Sequence, residues 1–192
     1  MLSEKQFRER ARTELHQVAE QLKAIATDRA VYWKLEYDIV ERNPDLRNAR
    51  SAFLEMLRGC YVEAMTARLL RLLEPAAGEP SLERLLRQLA SYPELLHGRI
   101  TESELVQDRE ALQKAARILR DTIIPRAGAH ERTLTALTST HRELDAATDL
   151  MLSIVKTCYW MVADGYIDME PLPEEEPFAV FQSLWAVATV EK

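Results

Sequence analysis

The residues best suited to chemistry lie at 120–133, RDTIIPRAGAHERT, where Pro125 and Gly128 interrupt a helical pattern and a histidine follows among arginines. A histidine titrates near neutrality and can carry a proton. A guanidinium stays charged and binds phosphate oxygens. Metal-free RNA cleavage needs such parts: a group that shuttles the 2′-hydroxyl proton and a cation that offsets charge on the phosphorane. On this reading His130 is the candidate acid/base, Arg126 or Arg120 the candidate phosphate-binding cation, and Glu131 an orienting group. A structural reading competes with it. Arg126 and His130 stand where cationic side chains complement the carbonyl end of a helix.

Other constellations are poorer. A carboxylate-bridged di-metal bundle draws on two Glu-x-x-His pairs from opposed helices. The chain has one such pair, Glu94 and His97, beside a proline, and the His16/Glu20 pair has nothing to complete it. His130 and Glu131 lack the second histidine of a zinc-protease motif. With five glycines in all there is no P-loop and no dinucleotide fingerprint, so neither a metal nor a cofactor is expected. Tyr32, Trp33 and Tyr37 are of a type that stacks on bases. At helical spacing they are read as core instead, as are Tyr159, Trp160 and Tyr166.

These residues must be positioned by helices. Leu, Ala, Glu and Arg dominate the 192 residues, and all four favour helix. Four of the glycines (Gly78, Gly98, Gly128, Gly165) fall where helical patterns stop, and no segment alternates with the period of a strand. The first helix opens at Ser3, with Gln6 completing a capping box, and carries the stripe Phe7, Ala11, Leu15, Val18, Leu22, Ile25. An aromatic stretch runs up to Pro44. The second helix starts between Asp45 and Asn48 and reaches about Leu73; it is apolar on more than one side and therefore expected to be central. Ser81 caps a short helix bearing Leu82, Leu85, Leu86 and Leu89. Thr101 and Glu104 form a further capping box, and the stripe Leu105, Leu112, Ala116, Leu119, Ile123 leads to Pro125. The last long helix is expected to start at a box of Thr140 and Glu143 and to end at Gly165. The architecture is thus all-α, a helical bundle of four to five main helices over residues 1–169. Residues 170–192 form an acidic Pro-rich connector and a short terminal helix through Phe178, Phe181, Trp185 and Ala188.

Charge is unevenly distributed. The net value of −6 comes from residues 164–177, which hold six acids and no base; the remainder carries 25 basic against 25 acidic residues. Residues 109–132 have six basic residues against three acidic ones, a local excess of +3 that leaves room for a polyanion there. No apolar run is long enough to span a bilayer, and the N-terminus is charged from its fourth residue, so no membrane is expected and the location is read as cytoplasmic. Cys60 and Cys158 lie far apart in apolar stripes and are read as buried free thiols.

The order of these features resembles the AbiU2-like branch of the HEPN superfamily, helical bundles of phage-defence and toxin systems. The matching pieces are NARSAFLEMLRGCYVEAMTARLLRLLEP, then SLERLL, then a charged helix ending in PRAGAHERT and followed by a long helix, over residues 45–165. PRAGAHERT looks like the family's Arg-Asn-Lys-x-x-Ala-His type of signature. The resemblance implies a HEPN-like fold and a homodimer that brings two motifs into one cleft. It also implies RNA as a target, either as a metal-independent RNase or as a degenerate RNA-binding relative, and an antitoxin or another protein as a partner. Position by position, Ala129 and His130 match the Ala-His end and Arg126 falls where lysine or arginine is common. The family's arginine and asparagine are here Ile124 and Pro125. An isoleucine cannot bind phosphate, and proline has neither a polar side chain nor a backbone donor. A non-enzymatic helical interaction module, acting through dimerisation or a protein partner, is therefore the alternative function.

Overall fold

The computed structural model describes residues 4–37, 52–74, 79–92, 100–125, 134–163 and 166–169. These form five α-helices and, among the described residues, no strand. Helix α1 spans Glu4–Leu35, α2 Ala52–Leu73, α3 Leu82–Ala90, α4 Glu102–Ile118 and α5 Leu134–Ala163. A π-helical turn, Leu119–Ile123, extends α4.

The expected stripe of α1 is the seam of the bundle. Phe7, Ala11, Leu15, Val18, Leu22 and Ile25 are all buried, and Phe7 stacks on Tyr92 with ring centroids 3.8 Å apart. Helix α5 packs along α1 and contributes Leu144, Ala147, Met151, Val155, Cys158 and Val162 to the same core. The expectation for α2 holds in its position, since it touches every other helix. Leu54, Val62, Met65, Leu69, Leu72 and Leu73 are buried, while Met56 is 58% exposed.

Short α3 shows how local signals and burial cooperate. The Ser81 hydroxyl accepts the backbone N–H of Arg84, closing an orphan donor of the first turn. Leu82, Leu85, Leu86 and Leu89 then face the core. Nine residues are too few to hold a helix alone, so the buried leucines sustain it, at about 1.5–3 kcal/mol each. Charges clip it to its neighbours. Arg84 pairs with Glu14 of α1 at 3.1 Å. The almost buried Glu83 accepts from Arg87 at 2.8 Å and from Arg109 of α4 at 3.4 Å. On α4 the Thr101–Glu104 capping box is complete: the Glu104 N–H donates to the Thr101 hydroxyl, and the Glu104 carboxylate accepts the Thr101 N–H at 2.7 Å. That N–H and the Thr101 hydroxyl both donate to the Glu104 carboxylate and hold it below its ordinary range.

Three expectations are corrected. Helix α5 is already helical at Leu134, so Thr140 and Glu143 do not cap it; Thr140 is buried within its second turn. Cys60 is exposed, because its stripe turns away from the core, whereas Cys158 is buried and its thiol is pushed up to about 12, chiefly by desolvation. Both cysteines are free. Of the aromatic residues read as core, Tyr32 is buried but Trp33, Tyr37, Trp160 and Tyr166 are exposed, Tyr166 at 92%. Ser3, the start of the second helix at 45–48, Gly165 and the segment 170–192 lie outside the described residues. No helix among the described residues is long and apolar enough to cross a membrane.

Candidate functional site

Of the four residues assigned chemistry from sequence, His130, Arg126 and Glu131 lie outside the described residues. Arg120 is described. It sits on the π turn with Leu119 and Ile123 buried on either side, and its guanidinium forms an ion pair with Glu74 just beyond α2. Both partners are about half exposed, so the pair stabilises by no more than about 1 kcal/mol. It nevertheless gives the guanidinium a carboxylate in place of a free phosphate-binding fork. Ile124 follows, 47% exposed and helical. Elsewhere in the basic segment Arg109 is held by Glu83, while Lys114 and Arg117 lie exposed on α4. The excess of charge read from sequence is thus partly neutralised by acids from α3 and the end of α2.

The metal pairs fare no better. Glu94 and His97 are outside the described residues, and His16 and Glu20 are both exposed on α1. Among the described residues no three His, Cys, Asp or Glu side chains come together as a metal site.

One polar cluster among the described residues was not apparent in the sequence. It forms where the C-terminal end of α1, the N-terminal half of α2 and the first turns of α5 meet. The Tyr32 hydroxyl shares a hydrogen bond with Nε2 of His141 at 3.1 Å, and both residues are buried. Tyr61 of α2 stacks on Tyr32, with centroids 3.7 Å apart and planes 8° from parallel. Trp33 closes the outer side with its edge toward His141 at 5.6 Å, and its indole N–H donates to Asp145 at 3.3 Å. Arg29 donates to the Asp149 carboxylate at 2.6 Å and to the backbone carbonyl of Asp145. At the far rim Arg58 pairs with Glu36 through two nitrogens.

Burial sets the protonation states. Desolvation pushes the hydroxyls of Tyr32 and Tyr61 above the ordinary tyrosine range, so both stay protonated. It lowers the His141 imidazole below its usual 6.5, with Glu36 opposing the shift, so the ring is neutral at pH 7. Desolvation also raises the Asp145 carboxyl, against the Trp33 hydrogen bond. A neutral imidazole hydrogen-bonded to a protonated tyrosine, both buried, ties α5 to α1, and the Tyr61 ring stacked on Tyr32 adds α2. It does not present an acid or base to a substrate. The pairing was invisible in sequence because Tyr32 and His141 are 109 positions apart.

Comparison of the chain with protein-family models, with curated proteins and with solved structures found no match.

Proposed function

We propose that this chain is a HEPN-type, AbiU2-like helical bundle of a phage-defence or toxin-type system, and that it works as a non-enzymatic interaction module by pairing with a second copy. The observation that carries this reading is the state of the two described positions of the motif, Ile124 and Arg120. The arginine position of the resembled motif is Ile124, exposed and apolar, and Arg120 is occupied by Glu74. A phosphorane would find neither side chain ready to stabilise it.

Support for pairing comes from one end of the bundle. Trp33 and Tyr37 near the end of α1 and Met56 near the start of α2 are exposed, at 39%, 60% and 58%. Trp33 borders the Tyr32–Tyr61–His141 cluster, which fixes the two helices to α5. Aromatic and methionine side chains on a rigid base are typical anchors of protein interfaces. Light scattering of the full chain tests the reading. The expected mass is twice 22.1 kDa at micromolar concentration, falling to 22.1 kDa in a Trp33→Ala/Met56→Ser double variant that remains helical. A native chain that stays at 22.1 kDa contradicts it.

A further inference from the structure

A groove of mixed polarity runs along the seam of α1 and α5. Ala26 and Arg29 form its α1 wall, Asp149, Leu152 and Lys156 its α5 wall, and Met169 lines it as well. Its open volume is about 430 Å³, enough to take the side chains of a few residues.

The path of the chain points to what enters it. After α5 ends at Ala163, residues 166–169 turn back along the helix they have just left. Ile167 packs on the core, and Met169 is buried beside Ala26. Between them the Asp168 carboxylate pairs with Lys23 at 3.8 Å, and its backbone carbonyl accepts from the same ammonium at 3.4 Å. Lys23, Ala26 and Arg29 lie successively further along α1. The chain is therefore heading into the groove where the described residues end, at Met169.

The residues that follow suit this path. In Glu170-Pro171-Leu172-Pro173, positions 170 and 172 each precede a proline, which favours extended backbone over helix. Chain of this kind has three residues per turn, so Leu172 falls on the side that Met169 occupies. The prolines also leave less backbone entropy to lose on docking. Charge is complementary too. Asp168 is held by a lysine beside the groove; Glu170, Glu174, Glu175 and Glu176 continue the run of acids, and Lys156 stands exposed on the α5 wall.

We propose that this groove is the docking site of the chain's own residues 170–173, with Leu172 seated between Ala26 and Leu152 and Glu170 facing Lys156. The acidic tract is then clamped to the α1–α5 seam instead of standing off the bundle as a connector. The docking does not depend on pairing through Trp33.

Methyl NOE spectra of the full ¹³C-labelled chain at neutral pH test it. Cross-peaks are expected from the Leu172 methyls to those of Ala26 and Leu152, at undiminished relative strength when labelled chain is diluted with excess unlabelled chain. Leu172→Ser, a change outside the bundle helices, should move the Ala26 and Leu152 methyl signals. Lys156→Glu should lower the docking constant about two- to fivefold, the worth of one surface ion pair, read from the Leu172 methyl shift. The proposal is overturned if the Leu172 cross-peaks are absent, or if Leu172→Ser leaves the Ala26 and Leu152 signals in place. Cross-peaks that vanish on dilution assign the groove to a second copy's segment and overturn it equally. A Leu172 shift unchanged in Lys156→Glu overturns the pairing with Glu170.

Discussion

At the scale of single residues, the Tyr32–His141 pair makes the clearest prediction. Its imidazole is neutral in the fold and protonates more readily once unfolded, because burial holds its native value below 6.5. Below that pH the unfolded chain binds the extra proton, so this contribution is complete above about 6.5 and is lost as pH falls toward the native value. Urea unfolding at a series of pH values should show stability declining through this window. A His141→Phe variant should flatten the decline, and an unchanged slope would remove His141 as its source. Tyr32→Phe deletes one partner and leaves the ring nitrogen alone, which should cost about 1–3 kcal/mol at pH 7. By contrast, Glu74→Gln breaks an exposed pair with Arg120 and should cost less than about 1 kcal/mol. None of this could be read from local patterns. The sequence shows a tyrosine and a histidine, and only the packing of three helices makes them neighbours.

At the scale of elements, legibility follows how local the cause is. The stripe of α1, the Ser81 cap and the Thr101–Glu104 box are set within a few residues, and each is found where the sequence puts it. The start of α5 is misread because Thr140 and Glu143 have the right spacing for a box, yet the chain is already helical at Leu134. Thr140 is instead buried in the packed part of the helix. Exposure of Cys60, Trp33 and Tyr166 is likewise decided by which neighbours arrive, not by residue type. Gly59 offers a direct check on α2. A side chain added there meets nothing within 4 Å. Gly59→Ala should therefore stabilise the chain by about 0.5–1 kcal/mol through helix propensity alone, as read from the thermal midpoint. In α3, Leu86→Ala opens a cavity at a fully buried site and should cost about 2–5 kcal/mol in the same measurement.

At the scale of the whole molecule, the five helices build a bundle whose core is continuous from Phe7 to Met169. All-α architecture was legible throughout, since composition, stripes and breaks agree with one another. The candidate site was legible only as residue types: RDTIIPRAGAHERT supplies a histidine and arginines, but spacing alone does not say whether a cation faces the histidine. What the fold adds is the engagement of Arg120 by Glu74 and the exposure of Ile124. The proposed reading is that the chain acts by association and not through chemistry on RNA. The most direct measurement is incubation of the native protein and His130→Ala with mixed RNA, at high protein concentration and without added metal. The account predicts that RNA stays intact with both proteins. Cleavage by the native chain that disappears in His130→Ala would contradict it.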